Sequence, residues 1–308
     1  MRVLIVGLGS IASKHIASLR QLDEKVYVDA LRSSKNSIHW DGIRDLFDWG
    51  EVDSGSYDFA IVSNPTSSHK ETLSRLLKLR VPIFLEKPLY NKLDIKDIVN
   101  DFSRAGIITY VACDLRFLKS LIFTKSFLEN NCPRINEVNI YCGSYLPDWR
   151  KNIDFRKNYS AIPELGGGVH LDLIHELDYT YWFWGIPENN RSYFSNRSSL
   201  GILAYDYANY CLSYPSFNVN VVLNYYRRDP KRVCEIVCEY YTILVDIIKD
   251  TVRIDNKIVF ESNKNTDYTY LEEMKYFVSC VQRKLKTLNT IEDSYNVLKI
   301  CLGYDFKK

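Results

Sequence analysis

The residues whose types and spacing could do chemistry start at the N-terminus. Gly7-Leu8-Gly9-Ser10-Ile11-Ala12 directly follows the apolar run Val3–Val6 and opens a stretch in which Ala12, Ile16 and Leu19 recur at helical spacing. A strand, a glycine turn and a helix in that order make the fingerprint of a dinucleotide fold, which allows Ala in its third glycine position. Gly7 permits the tight turn and Gly9 lets the backbone approach a pyrophosphate. At Ser10 and Ile11 the helix N-terminus offers free N–H groups and a positive dipole end to the anion. An NAD-specific site has Asp or Glu at the end of the second strand, about twenty residues on. This chain has Arg32-Ser33-Ser34 there, with Lys35 following. A guanidinium and hydroxyls suit a ribose 2′-phosphate, which favours NADP and leaves NAD possible. Asp29 is the competing acid, but it falls before the strand end, and from mid-strand it would not reach the ribose.

The elements that must position these residues alternate. Val26–Leu31 and Phe59–Ser63 are further strands, and Thr66 can cap a helix carrying Leu73, Leu76 and Leu77. Ile83–Leu85 is a strand, Asp94–Ala105 a helix, and Ile107–Ala112 closes the series. Such alternation predicts a parallel sheet covered on both faces. Beyond about residue 116 the texture changes. A helix around Leu118–Glu129 leads into Val219–Tyr225, where positions 219, 221, 223 and 225 are apolar and two of the three between them are Asn. That is the period of a sheet with one covered face. Val233–Val245 and Lys257–Glu261 read as strands, and Leu271–Lys286 and Ile291–Tyr304 as helices. The expected fold is α/β. A Rossmann domain over 1–116 precedes an α+β domain with an open, mainly antiparallel sheet over 117–308, whose helix 291–304 is able to pack back on the first domain.

Three further segments match one family. Asn64-Pro65-Thr66-Ser67-Ser68-His69 follows one strand and Glu86-Lys87-Pro88 the next, and Gly166-Gly167-Gly168-Val169-His170-Leu171-Asp172-Leu173-Ile174-His175-Glu176-Leu177-Asp178 lies in the second half. With the N-terminal fingerprint, they resemble the Gfo/Idh/MocA oxidoreductases over nearly the whole chain. The resemblance implies hydride transfer between a nicotinamide and a carbinol or keto carbon of a sugar, sugar acid or sugar nucleotide. It places Glu86 near the nicotinamide ribose and Lys87 between nicotinamide and substrate, with a cis bond before Pro88. Asn64, Thr66 and His69 would line the nicotinamide half of the cofactor.

His175 would face the substrate alcohol and exchange its proton, work that suits an ordinary pKa near 6.5. Asp172 and Asp178 each lie three residues from His175, and either could orient it; Asp172 could instead hold a substrate hydroxyl. Many members space this Asp and His by four residues, which leaves the helix register open. His170 reads as a packed residue. Arg116-Phe117 and the stretch Leu146-Pro147-Asp148-Trp149-Arg150, with Arg156 and Tyr159 beyond it, resemble the family's substrate-facing elements. Trp149 and Tyr159 could stack on a sugar ring, and Arg116, Arg150 and Arg156 could hold an anionic group. Two other readings fit the same fold: a non-catalytic NAD(P)-binding regulator, and an NAD-dependent glycoside hydrolase.

Composition narrows the field. The 308 residues suit two domains. Forty basic against thirty-eight acidic residues give a formal net charge of +2, which argues against a nucleic-acid partner. No apolar run approaches the roughly 18 residues of a membrane span. Eight cysteines show no CxxC pair and, with five histidines, complete no zinc pattern. They read as buried thiols of a cytoplasmic enzyme that needs no metal. A homo-dimer or homo-tetramer is expected from the resemblance.

Overall fold

In the computed structural model every residue is described except 37, 54, 151–152, 263–266 and 307–308. The first six strands are short, and all but the third are largely apolar. Val3, Leu4 and Ile5 are wholly buried, as befits a strand covered on both faces. In chain order these elements are β1 (Arg2–Val6), α1 (Ser10–Leu22), β2 (Tyr27–Leu31), β3 (Ile43–Leu46), β4 (Phe59–Val62), α2 (His69–Leu79), β5 (Ile83–Leu85), α3 (Lys96–Ala105) and β6 (Thr109–Val111). The strands pair in parallel in the order β3-β2-β1-β4-β5-β6. The order reverses between β1 and β4, and in such sheets ligands bind outside the carboxyl ends of the strands at that point.

The next elements are α4 (Lys119–Asn131), β7 (Ile135–Tyr145), α5 (Val169–Asp172), α6 (His175–Trp184), β8 (Asn189–Ser195), β9 (Tyr207–Ser213), β10 (Asn218–Asn224), β11 (Tyr226–Cys238), β12 (Thr242–Asp246), β13 (Thr251–Ile254) and β14 (Lys257–Glu261). They form an eight-stranded sheet in the order β14-β13-β12-β11-β7-β10-β9-β8. All its pairings are antiparallel except that of β10 with β7. In β10 the expected alternation holds as far as Leu223: Val219, Val221 and Leu223 are fully buried, whereas Asn220 and Val222 face the other way and are half-buried; Asn224, expected on the open face, is buried. The architecture is therefore the expected α/β one, a parallel Rossmann sheet followed by a mainly antiparallel sheet.

Two helices complete the chain, α7 (Tyr268–Arg283) and α8 (Ile291–Cys301). The chain divides into two compact units, Met1–Cys113 with Asp267–Leu298, and Asp114–Thr266 with Lys299–Lys308. The first unit thus includes α7 and most of α8, from the part of the chain that the sequence assigned to the second domain. The reason is a covered sheet face. Phe277 of α7 packs edge-on against Phe59 at 5.2 Å and Phe84 at 5.4 Å. Glu273 of the same helix accepts hydrogen bonds from the Tyr110 hydroxyl at 2.9 Å and the Cys113 N–H at 2.7 Å.

All eight cysteines are thiols, and six of them are buried. Cys234 and Cys238 share the covered face of β11, where burial raises both thiol pKa values. Among the described residues, no helix is long and apolar enough to cross a membrane.

Candidate active site

The first unit carries the nucleotide turn. Gly7 has φ +91, its N–H donates to the Leu31 carbonyl at 3.0 Å, and its own carbonyl accepts from the Ser63 hydroxyl at 2.7 Å. A Cβ here would lie 2.6 Å from the Asn64 backbone, so the close approach of two loops admits only glycine. At Gly9, which begins α1, an added Cβ would meet nothing within 4 Å. No side chain caps α1, so the N–H groups at Ser10 and Ile11 sit at an uncapped helix end. Open space in front of such an end fits the pyrophosphate of a dinucleotide.

Two loops beyond the strand ends are tied together by His69, which is 1% exposed. Its Nδ1 lies 3.0 Å from the Pro88 carbonyl and 3.2 Å from that of Leu89, and its Nε2 lies 3.1 Å from the Asn64 carbonyl. Burial lowers its pKa even though these carbonyls pull the other way. The resemblance made His69 a lining residue; its bonds show it fastening the Asn64 loop to the Pro88 turn. Asn64 donates from Nδ2 to the Thr72 hydroxyl at 2.8 Å, and Thr66 is buried in the short turn Thr66–Ser68. The cap expected at Thr66 falls to Ser68, because that turn precedes the helix proper.

Glu86 and Lys87 follow β5, and the Lys87–Pro88 bond is cis, as the resemblance implied. Glu86 Oε1 lies 2.6 Å from Nε2 of His15, and Oε2 accepts the Lys87 N–H at 3.2 Å. Burial would raise the pKa of Glu86, but the hydrogen bond and charge of His15, together with Lys87, hold it below the usual carboxylate value. His15 escaped the sequence reading. Its signal was there: a polar residue inside the buried stripe Ala12, His15, Ile16 and Leu19 of α1.

Arg32 lies just past β2 but does not stand open to solvent. It is 8% exposed, and its Nη1 donates to the Ile38 carbonyl at 2.8 Å and to Asp45 Oδ1 at 3.0 Å. Ser33, Ser34 and Lys35 are exposed. Asp29 sits mid-strand, fully buried, and accepts from Arg2 at 3.0 Å and the Tyr57 hydroxyl at 2.6 Å.

In the second unit His175 is the first residue of α6, with Asp114 Oδ1 3.7 Å from its Nδ1. Asp114 was not anticipated, since it belongs to no motif. The shared helix face expected for Asp172 and His175 does not exist. The helix breaks at Leu173, so that Asp172 ends α5 and His175 starts α6. Asp172 Oδ1 accepts from the Tyr159 hydroxyl at 2.9 Å, and Oδ2 from the Tyr225 hydroxyl at 2.5 Å. Burial, then Asp172 itself, raises the pKa of both phenols and keeps them donors. Asp178 is committed to Arg116 through a bidentate pair, Nε to Oδ2 at 2.8 Å and Nη2 to Oδ1 at 2.7 Å, with both residues buried. The arginine expected to meet substrate therefore braces the segment that carries Asp114.

Trp149 packs edge-on to Tyr225 at 5.3 Å and donates from Nε1 to the Ser144 hydroxyl at 2.9 Å, while the Arg150 guanidinium lies 5.5 Å over the Tyr159 ring. Trp149, Arg150, Tyr159, Asp172 and Tyr225 thus form one connected cluster. Arg156 pairs instead with its neighbours, over Phe155 at 4.5 Å and 3.9 Å from Asp154. Gly167 lets this loop close on α5, since a Cβ there would fall 2.1 Å from the Tyr159 carbonyl. His170 is packed, as expected, between Phe194 and Tyr205, each at 5.4 Å, and burial pushes its pKa down to about 4.

Comparison with known proteins agrees with this geometry. Residues 1–112 match the model described as an oxidoreductase family with an NAD-binding Rossmann fold. The myo-inositol 2-dehydrogenase of Thermotoga maritima is 24% identical over 199 residues, which cover 60% of this chain and 55% of that protein. The matched segment thus spans about half of that relative. Among solved structures, the myo-inositol 2-dehydrogenase of Lactobacillus plantarum superposes with a TM-score of 0.81 at 19% identity, covering 99% of this chain and 96% of that one. The UDP-N-acetylglucosamine 3-dehydrogenase of Acidithiobacillus ferrooxidans superposes with a TM-score of 0.78 at 15% identity, with coverage of 99% and 96%. The glycine turn and the Glu86-Lys87-cis-Pro88 segment both lie within the matched residues 1–112, and the solved structures share the fold over nearly the whole chain.

Proposed function

We propose that the protein is a nicotinamide-dependent dehydrogenase or reductase acting on a CH–OH carbon of a sugar-like molecule. The observation that carries this reading is the end of β5, where Glu86 is locked by His15 directly beside Lys87, in the same parallel sheet as an open nucleotide turn. The dinucleotide fits the uncapped end of α1 at Gly7, Gly9, Ser10 and Ile11, with Asn64, Thr66 and Glu86 serving its nicotinamide half. When bound, it supplies the acceptor or donor of a hydride.

The chain's own residues handle the proton and the charge. Lys87 stabilises the substrate oxygen as its charge changes, an electrostatic role for an ammonium in a desolvated site. His175 takes or returns the hydroxyl proton, with Asp114 as the neighbouring carboxylate. Asp172, oriented by Tyr159 and Tyr225, serves a sugar hydroxyl, beside the faces of Trp149 and Tyr159 and the charge of Arg150. Relatives named for an inositol and for a nucleotide sugar support a sugar, sugar acid or sugar nucleotide as substrate. A homo-dimer or homo-tetramer in the cytoplasm completes the reading.

The test is the absorbance of reduced nicotinamide on mixing the protein with NAD or NADP and a panel of polyols, sugar acids and sugar nucleotides. Lys87→Ala should cut turnover by roughly a thousandfold, the scale of losing one such electrostatic group, while the dinucleotide still binds. Near-normal turnover in that variant would remove Lys87 from the mechanism.

A further inference from the structure

The contact between Arg32 and Asp45 sits where a dinucleotide fold reads its cofactor. Arg32 is the first residue past β2, and the residue before it, Leu31, accepts the N–H of Gly7 from the glycine turn at 3.0 Å. In such folds this position meets the adenosine ribose, with an acid for the 2′-hydroxyl of NAD or an arginine for the 2′-phosphate of NADP. Here both charges are present and satisfy each other. Strand β3 delivers the acid: Asp45 pairs in register with Ala30, and the Arg32 N–H donates to the Leu46 carbonyl at 2.9 Å. Nη1 of Arg32 is shared between Asp45 Oδ1 and the Ile38 carbonyl, and Asp45 Oδ2 lies 2.8 Å from Nδ1 of His39.

The pair has a consequence for the ligand. A 2′-phosphate brings about −1.5 to −2 charges. It would have to share Arg32 with a carboxylate 3.0 Å from the guanidinium. One prong of the arginine fork that grips phosphate bidentately, Nη1, is already engaged. A 2′-hydroxyl carries no charge and meets no such opposition.

We propose that Asp45 is a specificity-determining residue: by holding Arg32 it makes the chain select NAD over NADP. This rests on the dinucleotide reading above. It also reverses the NADP preference that an unpaired Arg32 implies.

Binding tests it without turnover. The full chain is titrated with NADH and with NADPH, following nicotinamide fluorescence, in wild type, Asp45→Ala, Asp45→Asn and the double variant Asp45→Ala with Arg32→Ala. Wild type should bind NADH at least about tenfold tighter than NADPH. Asp45→Ala should tighten NADPH about tenfold or more, with NADH changed by less than about threefold. Adding Arg32→Ala should cancel that gain. Asp45→Asn keeps an acceptor for Nη1 and guards against a folding failure; it should move NADPH in the same direction. Tighter NADPH binding in wild type, no gain in either Asp45 variant, or a gain that survives loss of Arg32 overturns the proposal. Binding of neither dinucleotide would overturn the cofactor reading itself, a result distinct from these.

Discussion

At the scale of single residues, the two glycines of the nucleotide turn separate structure from ligand. Gly7 is required by the chain itself, because a side chain there meets the Asn64 backbone at φ +91. Gly7→Ala should destabilise the fold by about 1–3 kcal/mol, read by urea unfolding. Gly9 is required only by what approaches it. Gly9→Ala should melt like wild type and bind dinucleotide at least about tenfold more weakly in the same fluorescence titration; unchanged affinity would move the pyrophosphate elsewhere. His15 makes a third case. Removing it strands a buried carboxylate, so His15→Ala should cost about 2–3 kcal/mol in urea unfolding. These glycines were legible in the sequence because turns declare themselves locally. Asp45 was not, because its partner Arg32 follows a neighbouring strand and only the sheet brings them together.

At the scale of elements, most strands and helices of the first unit were legible because buried parallel strands are short apolar runs. The missed β3, Ile43-Arg44-Asp45-Leu46, is an edge strand with two charged residues and so lacks that run. In the second unit, the resemblance put Asp172 and His175 on one helix, where their three-residue spacing would align them. The break at Leu173 divides it, and Asp172 turns to two tyrosine hydroxyls. One of these, Tyr225, lay in plain sight on the covered face of the 219–225 run. Its hydroxyl needs a partner when buried, and that partner could not be named from spacing. Tyr225→Phe leaves the carboxylate with one donor fewer. It should cost about 1–3 kcal/mol by urea unfolding, since the lost bond goes to a charged, buried group.

At the scale of the whole molecule, buried histidines set the acid limit. His170 has a pKa of about 4 in the folded chain, against about 6.5 when unfolded. Its folded value is depressed, so its full stabilising effect is present above pH 6.5 and is lost as pH falls toward 4. The loss amounts to up to about 3 kcal/mol; burial of His69 acts in the same direction. Urea midpoints between about pH 7 and pH 4 should fall, and the fall should be shallower in His170→Phe, which keeps the contacts with Phe194 and Tyr205. An equal slope in that variant would assign the acid sensitivity elsewhere. The reaction itself is the central claim, and isotope transfer tests it most directly. The protein is incubated with a keto sugar and nicotinamide dinucleotide carrying deuterium at the hydride position, and the product is weighed by mass spectrometry. The account predicts deuterium on the new carbinol carbon, in wild type and not in Lys87→Ala. A product formed without deuterium would contradict it.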